Sequence, residues 1–206
     1  LRDGWRQANR RLLFEQVGHR LNQAGIPVWR MAAFIPTLHP ELYADTFFWN
    51  RDSGKARYQQ SGHDVRQEPD YQNSPLLEVG RSGKALRRRL TGPDALLDFP
   101  ILKQMAEQGA TDYVALPVRF TRPQPVYLTF ATDRAQGFSD QDMVVLSDLA
   151  EVFAPIIEAM ATQMVAVRLL DTYVGRNAGQ RVLAGQSGRG SGETAAPVPE
   201  NTPRAE

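Results

Sequence analysis

Apolar residues recur at every third or fourth position along one long stretch near the end of the chain, residues 139–174. This spacing is typical of an α-helix that presents one apolar stripe, the pattern needed to pack along a partner. The positions that share the spacing are Leu146, Leu149, Phe153, Ile156, Met160, Gln163, Val167, Leu170 and Val174, of which only Gln163 is polar. The stretch therefore predicts one long helix that Ser139 caps and that Pro155 bends.

Two interpretations of this stripe remain open, packing inside the domain and pairing with a second copy, and we expect a different one for each half of the helix. Over residues 140–155 a second apolar row widens the stripe, so we expect that half to pack inside the domain. After residue 155 no apolar element follows in the sequence, and there we expect a seam between two copies of the chain, with Gln163 paired to its own copy to fix the register. The candidate seam residues of this homodimer are Leu146, Leu149, Phe153, Ile156, Met160, Gln163, Val167 and Leu170.

The rest of the chain alternates between helical and strand-like patterns. In the first strand-like stretch, apolar side chains fall on one side at Trp29, Met31, Ala33 and Ile35. The whole pattern predicts helices over 1–24 and 99–108, strands over 28–38, 44–50, 55–60, 112–120 and 126–132, a hairpin turn over 51–55, and a loop over 61–80 with a short helix beginning near Ser74.

This order of elements predicts an α+β fold, an antiparallel sheet with helices on one face. Such an arrangement, with terminal helices and a long C-terminal signalling helix, resembles that of GAF and PAS sensor domains. We expect a sensory domain over 1–138 and a signalling and dimerisation helix with its connector over 139–186. The tail, 187–206, is rich in Gly, Pro, Ser, Ala and Glu, and its composition predicts disorder.

Composition narrows the class of protein. The 206 residues include 24 Lys and Arg against 23 Asp and Glu, a net charge of +1, so neither nucleic acid nor a membrane surface is expected as a partner. The lack of cysteine excludes disulfides, Cys-ligated metal and a thiol nucleophile. No apolar run approaches the roughly 18 residues that span a bilayer. We expect a cytoplasmic protein without catalytic residues, metal or cofactor.

A sheet of this kind with a covering loop forms a pocket lined by aromatic and a few polar groups. The candidate lining residues are Trp29, Arg30, Thr37, His39, Trp49, Tyr58, His63 and Tyr71. Arg30 either pairs with an anionic ligand or is an ordinary strand residue. For His39 a hydrogen bond to the backbone is favoured over a ligand or haem contact. Trp49 and Tyr58 are favoured as core or cross-strand residues.

The segment 81–90 is strongly basic, with the sequence RSGKALRRRL. It fits either an anion or nucleic-acid patch or a solvated segment at the rim of a pocket. The second interpretation is favoured because no aromatic residues alternate with the charges.

Four segments carry a more specific resemblance. They read IPTLHPELYADTFFW (35–49), TDYVALPV (111–118), FATDRAQGFSDQD (130–142) and LLDTYVGRNAGQRVLAGQ (169–186). In this order they resemble the GAF-like input domain of bacterial class III adenylyl cyclases from alphaproteobacteria, together with the connector to its catalytic domain. The resemblance covers about residues 5–186. It implies a regulatory domain that dimerises and passes a ligand or partner signal through the long helix to an output domain.

The sequence departs from this pattern after Gln186. The connector of such cyclases continues into a strand that bears a metal-binding aspartate, whereas here a Gly- and Pro-rich tail follows. The resemblance therefore implies the regulatory part without the catalytic domain, and this chain is expected not to be an enzyme. A stand-alone GAF-like module that binds a protein or a small molecule is the alternative. GAF-type reductase chemistry depends on cysteine, which this chain lacks.

Overall fold

The computed structural model describes residues 2–36, 42–121 and 126–173. Six antiparallel strands form one sheet in the order β3-β2-β1-β6-β5-β4. The elements in chain order are α1 (Arg2–Gln23), β1 (Arg30–Pro36), β2 (Leu42–Asn50), β3 (Lys55–Gly62), a 3-10 helix (His63–Gln67), α2 (Pro69–Gln72), α3 (Pro75–Ser82), β4 (Leu86–Arg89), α4 (Pro100–Glu107), β5 (Asp112–Val118), β6 (Val126–Thr132) and α5 (Asp140–Tyr173). The predicted α+β class is confirmed.

The first face of the sheet is covered by α1 and α5. Phe14 and Leu21 of α1 enter the same buried cluster as Phe47 of β2 and Leu146 of α5. The Phe14 and Phe47 rings stack with their centroids 5.0 Å apart. The apolar stripe of α1 therefore packs on the sheet as its spacing predicts.

The second face carries a separate core over the half of the sheet formed by β6, β5 and β4. Val79 of α3 and Leu102 of α4, both fully buried, pack there with Tyr113 and Tyr127. The prediction of helices on one face only is wrong: α3 and α4 cover the opposite face, and a local sequence pattern does not report which face of a sheet a short helix will cover. Trp29 also belongs to this second core rather than to the first face with Met31.

Strand β4 was not predicted, and its sequence explains why. It reads LRRR, so it shows no alternation of apolar and polar residues. The guanidinium groups of Arg87 and Arg89 instead reach the carboxylate of Asp112, which is fully buried on β5. The basic segment is therefore neither a free anion patch nor simply solvated, because two of its arginines neutralise a buried charge.

Helix α5 begins after Ser139, as predicted. The hydroxyl of Ser139 accepts a hydrogen bond from the Asp142 amide at 3.2 Å, and the Asp142 carboxylate accepts one from the Ser139 amide at 2.7 Å. This reciprocal pair satisfies two amide donors at the helix start. The helix continues through Pro155 to Tyr173.

The buried face of α5 is rotated relative to the predicted seam. It consists of Leu146, Ala150, Phe153, Ala154, Ile157, Ala161 and Met164. Leu146 and Phe153 are covered by the domain's own core and are not available to a second copy. Leu149, Ile156, Met160 and Gln163 reach the surface to differing degrees, whereas Val174 lies outside the described residues. A seam through the surface positions stays a prediction.

The chain divides into two compact units, Leu1–Val165 and Ala166–Glu206. The second is described only as the last part of α5, where Val167 and Leu170 are half-buried. The predicted connector beyond residue 173 and the predicted disorder of 187–206 lie outside the described residues. Among the described residues, no helix is both long and apolar enough to cross a bilayer.

Candidate functional site

Aromatic side chains from four elements meet on the second face of the sheet, opposite α1 and α5. Phe34 of β1 is paired in register with Tyr127 of β6, and their ring centroids lie 6.3 Å apart. Tyr43 of β2 lies 6.1 Å from Phe34 and 5.6 Å from Tyr71 of α2, ring to ring. The hydroxyl groups of Tyr43 and Tyr71 share a hydrogen bond. We call this group, with His63 and Arg66, the aromatic site.

Residues 63–73 form a strap over this site. Neither the 3-10 helix nor α2 contains a buried residue. Contacts to Tyr43 instead attach the strap to the sheet: the His63 ring lies 5.9 Å from the Tyr43 ring, and the Arg66 guanidinium lies 5.4 Å from it. Such a segment opens at low cost, because few apolar contacts must break.

Tyr127 is the most buried polar side chain of the site, with 7% of its surface exposed. Its hydroxyl lies against Gly80 of α3, where a Cβ atom would collide with it. No hydrogen bond joins this hydroxyl to another described residue, but its oxygen is not among the fully buried side-chain atoms that lack a partner and therefore still reaches solvent. A hydroxyl that reaches solvent can be satisfied by water, so this position needs no partner within the chain.

The phenols of the site are held in their neutral form. Burial, and then the hydrogen bond to Tyr43, raise the pKa of Tyr71 well above its usual range. Burial and the neighbouring Tyr43 also raise the pKa of Tyr127. Neutral phenols keep their protons, so near neutral pH they donate hydrogen bonds to an acceptor.

The eight predicted pocket residues fall into four groups, of which the last, Trp29 and Arg30, is described below. His63 and Tyr71 lie in the aromatic site. Trp49 and Tyr58 lie on the first face, where Trp49 packs against Gly18 of α1 and Tyr58 donates a hydrogen bond to the buried Asp45. Thr37 and His39 lie outside the described residues.

Trp29 and Arg30 form a separate contact at the end of β1. The Trp29 indole donates a hydrogen bond to Asp52 in the hairpin at 2.8 Å, and the Arg30 guanidinium lies 4.1 Å above the Trp29 ring. Arg30 thus stacks on its neighbour, and among the described residues no ring contact joins Trp29 to the aromatic site.

Sequence reasoning missed Phe34, Tyr43, Arg66 and Tyr127. Phe34 and Tyr127 alternate along their strands with residues of the first face, and this alternation could have placed both side chains on the second face. No sequence signal indicated the position of Tyr43, because its side chain is brought to the site by a register shift between Leu42 and Ala44. Arg66 came from a stretch interpreted as a loop.

A second surface feature lies on the helical side. A groove is lined by Pro155, Ile156, Ala159, Met160 and Gln163 of α5. Another runs between α1 and α5, with Val17, Leu149 and Phe153 among its walls. Gln163 accepts a hydrogen bond from Arg10 at 3.0 Å, so its side chain already has a partner within the chain. The described residues contain no group of three or more His, Asp or Glu side chains placed to hold a metal ion.

Comparison with solved structures identifies the fold. The GAF domain region of a putative membrane protein from Geobacter sulfurreducens PCA aligns with a TM-score of 0.53 and 11% identity over 77% of this chain and 99% of that one. The GAF domain of a two-component sensor histidine kinase from Bacillus halodurans aligns with a TM-score of 0.49 and 12% identity, over 71% and 94%. A type II free methionine-R-sulfoxide reductase from Thermoplasma acidophilum gives 0.47 and 13%, over 75% and 96%.

The first of these similarities shows that the chain has the GAF-like fold that its sequence predicts. At this level of identity it shows the fold alone. No protein-family model matches the chain, and no curated protein matches it either.

Proposed function

We propose that this chain is a sensory, regulatory domain that binds a small molecule at the aromatic site. The observation that supports this most directly is the meeting of four aromatic side chains, from β1, β2, β6 and α2, on one face of the sheet beneath a strap whose two short helices contain no buried residue.

The signal passes from the sheet to α5 through a polar junction. Arg134, in the loop after β6, pairs with Asp142 in the first turn of α5, and its Nε donates to the Gly137 carbonyl at 2.7 Å. The Asp112 carboxylate on β5 accepts a hydrogen bond from the Phe138 amide at 3.0 Å. A change at the sheet therefore reaches the start of α5 through charged contacts rather than a flexible loop.

We further propose that two copies associate through the exposed side of α5. Ile156 is 41% exposed and Val152 is 65% exposed, and Ala159 and Met160 continue the same side of the helix. Apolar side chains grouped on one helix face favour a partner helix. Because Gln163 bonds to Arg10, pairing of two Gln163 side chains requires this bond to break.

The output that we propose is an adenylate cyclase catalytic domain C-terminal to this chain, with the protein in the cytoplasm and cyclic AMP as its product. The support is the resemblance of 35–49, 111–118, 130–142 and 169–186 to the input domain and connector of class III cyclases. In this proposal the chain itself is not catalytic and needs no cofactor. The alternative is a stand-alone binding module without enzymatic output.

Native mass spectrometry tests the proposal. The chain is incubated with the small-molecule fraction of a bacterial extract and desalted, and its native mass is compared with that of an untreated sample. We expect a dimer carrying an added small mass, which Tyr71→Ala removes and the exposed control Arg81→Gln retains. A bound mass on a monomer favours the stand-alone module. A chain without bound mass in either oligomeric state contradicts ligand sensing.

A further inference from the structure

The second face of the sheet is left open beside the hairpin that joins β2 and β3. The helices α3 and α4 pack over β4, β5 and β6, and the strap contacts Tyr43 at the other end of β2. Thr46 of β2 is still buried, but Phe48, the next residue of β2 on the same face, is 42% exposed. A large aromatic ring therefore lies on an uncovered part of the sheet.

Three basic side chains surround this ring. The strand register places Arg57 of β3 directly opposite Phe48. It also places Arg30 and Lys55 on either side of Asn50, the next residue of β2 on that face. Neighbours of this kind lie about 5–8 Å apart. Lys55 and Arg57 are exposed and Arg30 is half-buried. We call Arg30, Phe48, Lys55 and Arg57 the basic face.

The positive charge of the basic face is not neutralised by the part of the chain that the structure describes. None of its three cations forms an ion pair with a described residue, whereas each arginine of β4 reaches a carboxylate. Two acidic residues at this end of the sheet have other partners, since Asp52 accepts a hydrogen bond from the Trp29 indole and Asp133 pairs with Arg51. Like charges that neighbour each other on a sheet repel, so carboxylates from outside would stabilise this face.

We propose that the basic face docks an acidic segment of a partner protein. The carboxylates of that segment pair with Arg30, Lys55 and Arg57, and one of its apolar side chains covers the Phe48 ring. An apolar centre inside a charged rim is the usual composition of a protein–protein contact. The inference goes beyond the proposed ligand-sensing function and does not depend on it, because the aromatic site lies toward the other end of β2.

The partner segment lies on the face of the sheet and does not add a strand to its edge. β3 is an edge strand of the sheet. The amide of Ala56 on this strand already donates a hydrogen bond to the Glu15 carboxylate of α1 at 2.9 Å, so it is not available to an added strand. Lys and Arg side chains along an edge strand also disfavour strand addition.

The aromatic content of the basic face favours a protein segment over single-stranded nucleic acid. Proteins bind single strands by stacking successive bases on several aromatic rings. Among the described residues at this end of the sheet, the only exposed aromatic ring is that of Phe48, because Trp29 is 6% exposed and lies beneath the Arg30 guanidinium. One apolar anchor is sufficient for a peptide but offers a stacking position to a single base.

Amide NMR titration of the full chain locates the contact with three probes. The first is a short peptide of glutamates around one central leucine, the second carries lysines in place of the glutamates, and the third is an oligothymidylate of similar length. We expect the acidic peptide to shift the amide signals of β2 and β3 around Phe48 and Arg57 and to leave those of α1 unchanged. The lysine peptide should shift neither set.

Fluorescence anisotropy with the labelled acidic peptide measures the contribution of each side chain. We expect Phe48→Ala and Arg57→Glu each to weaken binding by about tenfold or more. Arg11→Glu, the same change of charge on α1 over the opposite face, should leave the affinity unchanged. Because Phe48 and Arg57 are exposed, both variants should melt near the temperature of the parent chain. Lys55→Glu supplies a second charge reversal on the basic face if Arg57→Glu does not fold.

Three results would overturn the inference. The first is that the acidic peptide does not bind, or binds equally well to Phe48→Ala and to the charge reversals. The second is that its signal shifts follow exposed cations over the whole chain, as strongly at Arg11 and Lys84 as at Arg57. The third is tighter binding of the oligothymidylate through the same residues. Tyr71→Ala should leave peptide binding unchanged, so this inference and the proposed ligand sensing fail independently.

Discussion

Asp112 is the residue on which the polar contacts between β4, β5 and α5 converge. Its carboxylate is fully buried and accepts hydrogen bonds from Arg87 Nη2 at 2.7 Å, Arg87 Nε at 3.1 Å and the Phe138 amide at 3.0 Å. Gly137 has φ +69° and leaves no room for a Cβ beside Arg89 and Asp112. The burial of one carboxylate thus requires two arginines and a glycine.

Asp112→Asn should therefore destabilise the domain by about 2–4 kcal/mol, since it leaves two arginines facing a neutral group inside the fold. Asp98→Asn is the matched control. Asp98 pairs with Arg88 at 2.8 Å, but both side chains are partly exposed, so the expected loss is below about 1 kcal/mol. Urea unfolding of both variants gives the comparison, and equal losses would show that the buried network is not structural.

The lowered pKa of the Asp142 carboxyl group predicts how the stability of the fold depends on pH. Burial, the largest single influence, would raise the pKa of Asp142, but hydrogen bonds from Ser139 and the pairing with Arg134 together lower it below its ordinary value of 3.8. A carboxyl whose pKa is lower in the folded state stabilises the fold above its unfolded pKa, and this contribution is lost as the pH falls through the folded pKa.

The stability difference between the parent chain and Asp142→Asn should therefore be constant from pH 7 down to about 5 and shrink below about pH 4. Urea unfolding at a series of pH values measures it. A difference that grows on acidification would mean that the Asp142 carboxylate is not stabilised by its partners. Asp148→Asn, at an exposed position of the same helix, serves as the control.

At the residue scale, only part of the predicted candidate set lies together in the structure. His63 and Tyr71 were predicted at a ligand site and lie in the aromatic site. Tyr43 and Arg66 were not predicted, because an irregular pairing and a 3-10 helix bring them there. The local sequence carries no period that reports such placement.

At the scale of elements, α5 shows what an apolar stripe leaves undetermined. The predicted stripe and the buried face share Leu146 and Phe153 but then separate, because apolar residues occupy more than one side of the helix. Ile156 is 41% exposed and Ile157 is fully buried. Only the positions of the sheet and α1 decide which of these neighbours enters the core.

This pair of isoleucines tests the account of α5. Ile157→Glu places a charge in the core and should unfold the domain or cost more than about 3 kcal/mol. Ile156→Glu should change the stability of a single copy by less than about 0.5 kcal/mol but prevent association. Sedimentation and thermal melting measure both. If Ile156→Glu leaves a dimer intact, or the parent chain sediments as a monomer at micromolar concentration, the proposed seam is wrong.

The strands were predicted where alternation was present and missed where charge replaced it. β5 and β6 carry apolar residues toward both faces and were found nearly at their observed bounds. β4 consists of Leu86 and three arginines, so its strand character depends on its pairing with β5 and on Asp112. A partner 23–25 residues away in the chain is not visible in a local pattern.

At the scale of the molecule, the terminal helices and the antiparallel sheet were predictable, because long elements with a clear period determine the fold class. The two-sided covering of the sheet was not, because the periods that predict the short helices α3 and α4 do not report which face of the sheet each one covers. That second layer, together with the strap, is what forms the aromatic site. The site is therefore the part of the molecule least accessible to sequence reasoning.

The central claim is that a small molecule binds under the strap and that its binding reaches α5. Hydrogen–deuterium exchange of the full chain, with and without the small-molecule fraction of a bacterial extract, measures both parts together. We predict slower exchange over residues 63–73 and β6, accompanied by a change over the first turns of α5. Exchange at the strap that is the same in both samples would contradict the account.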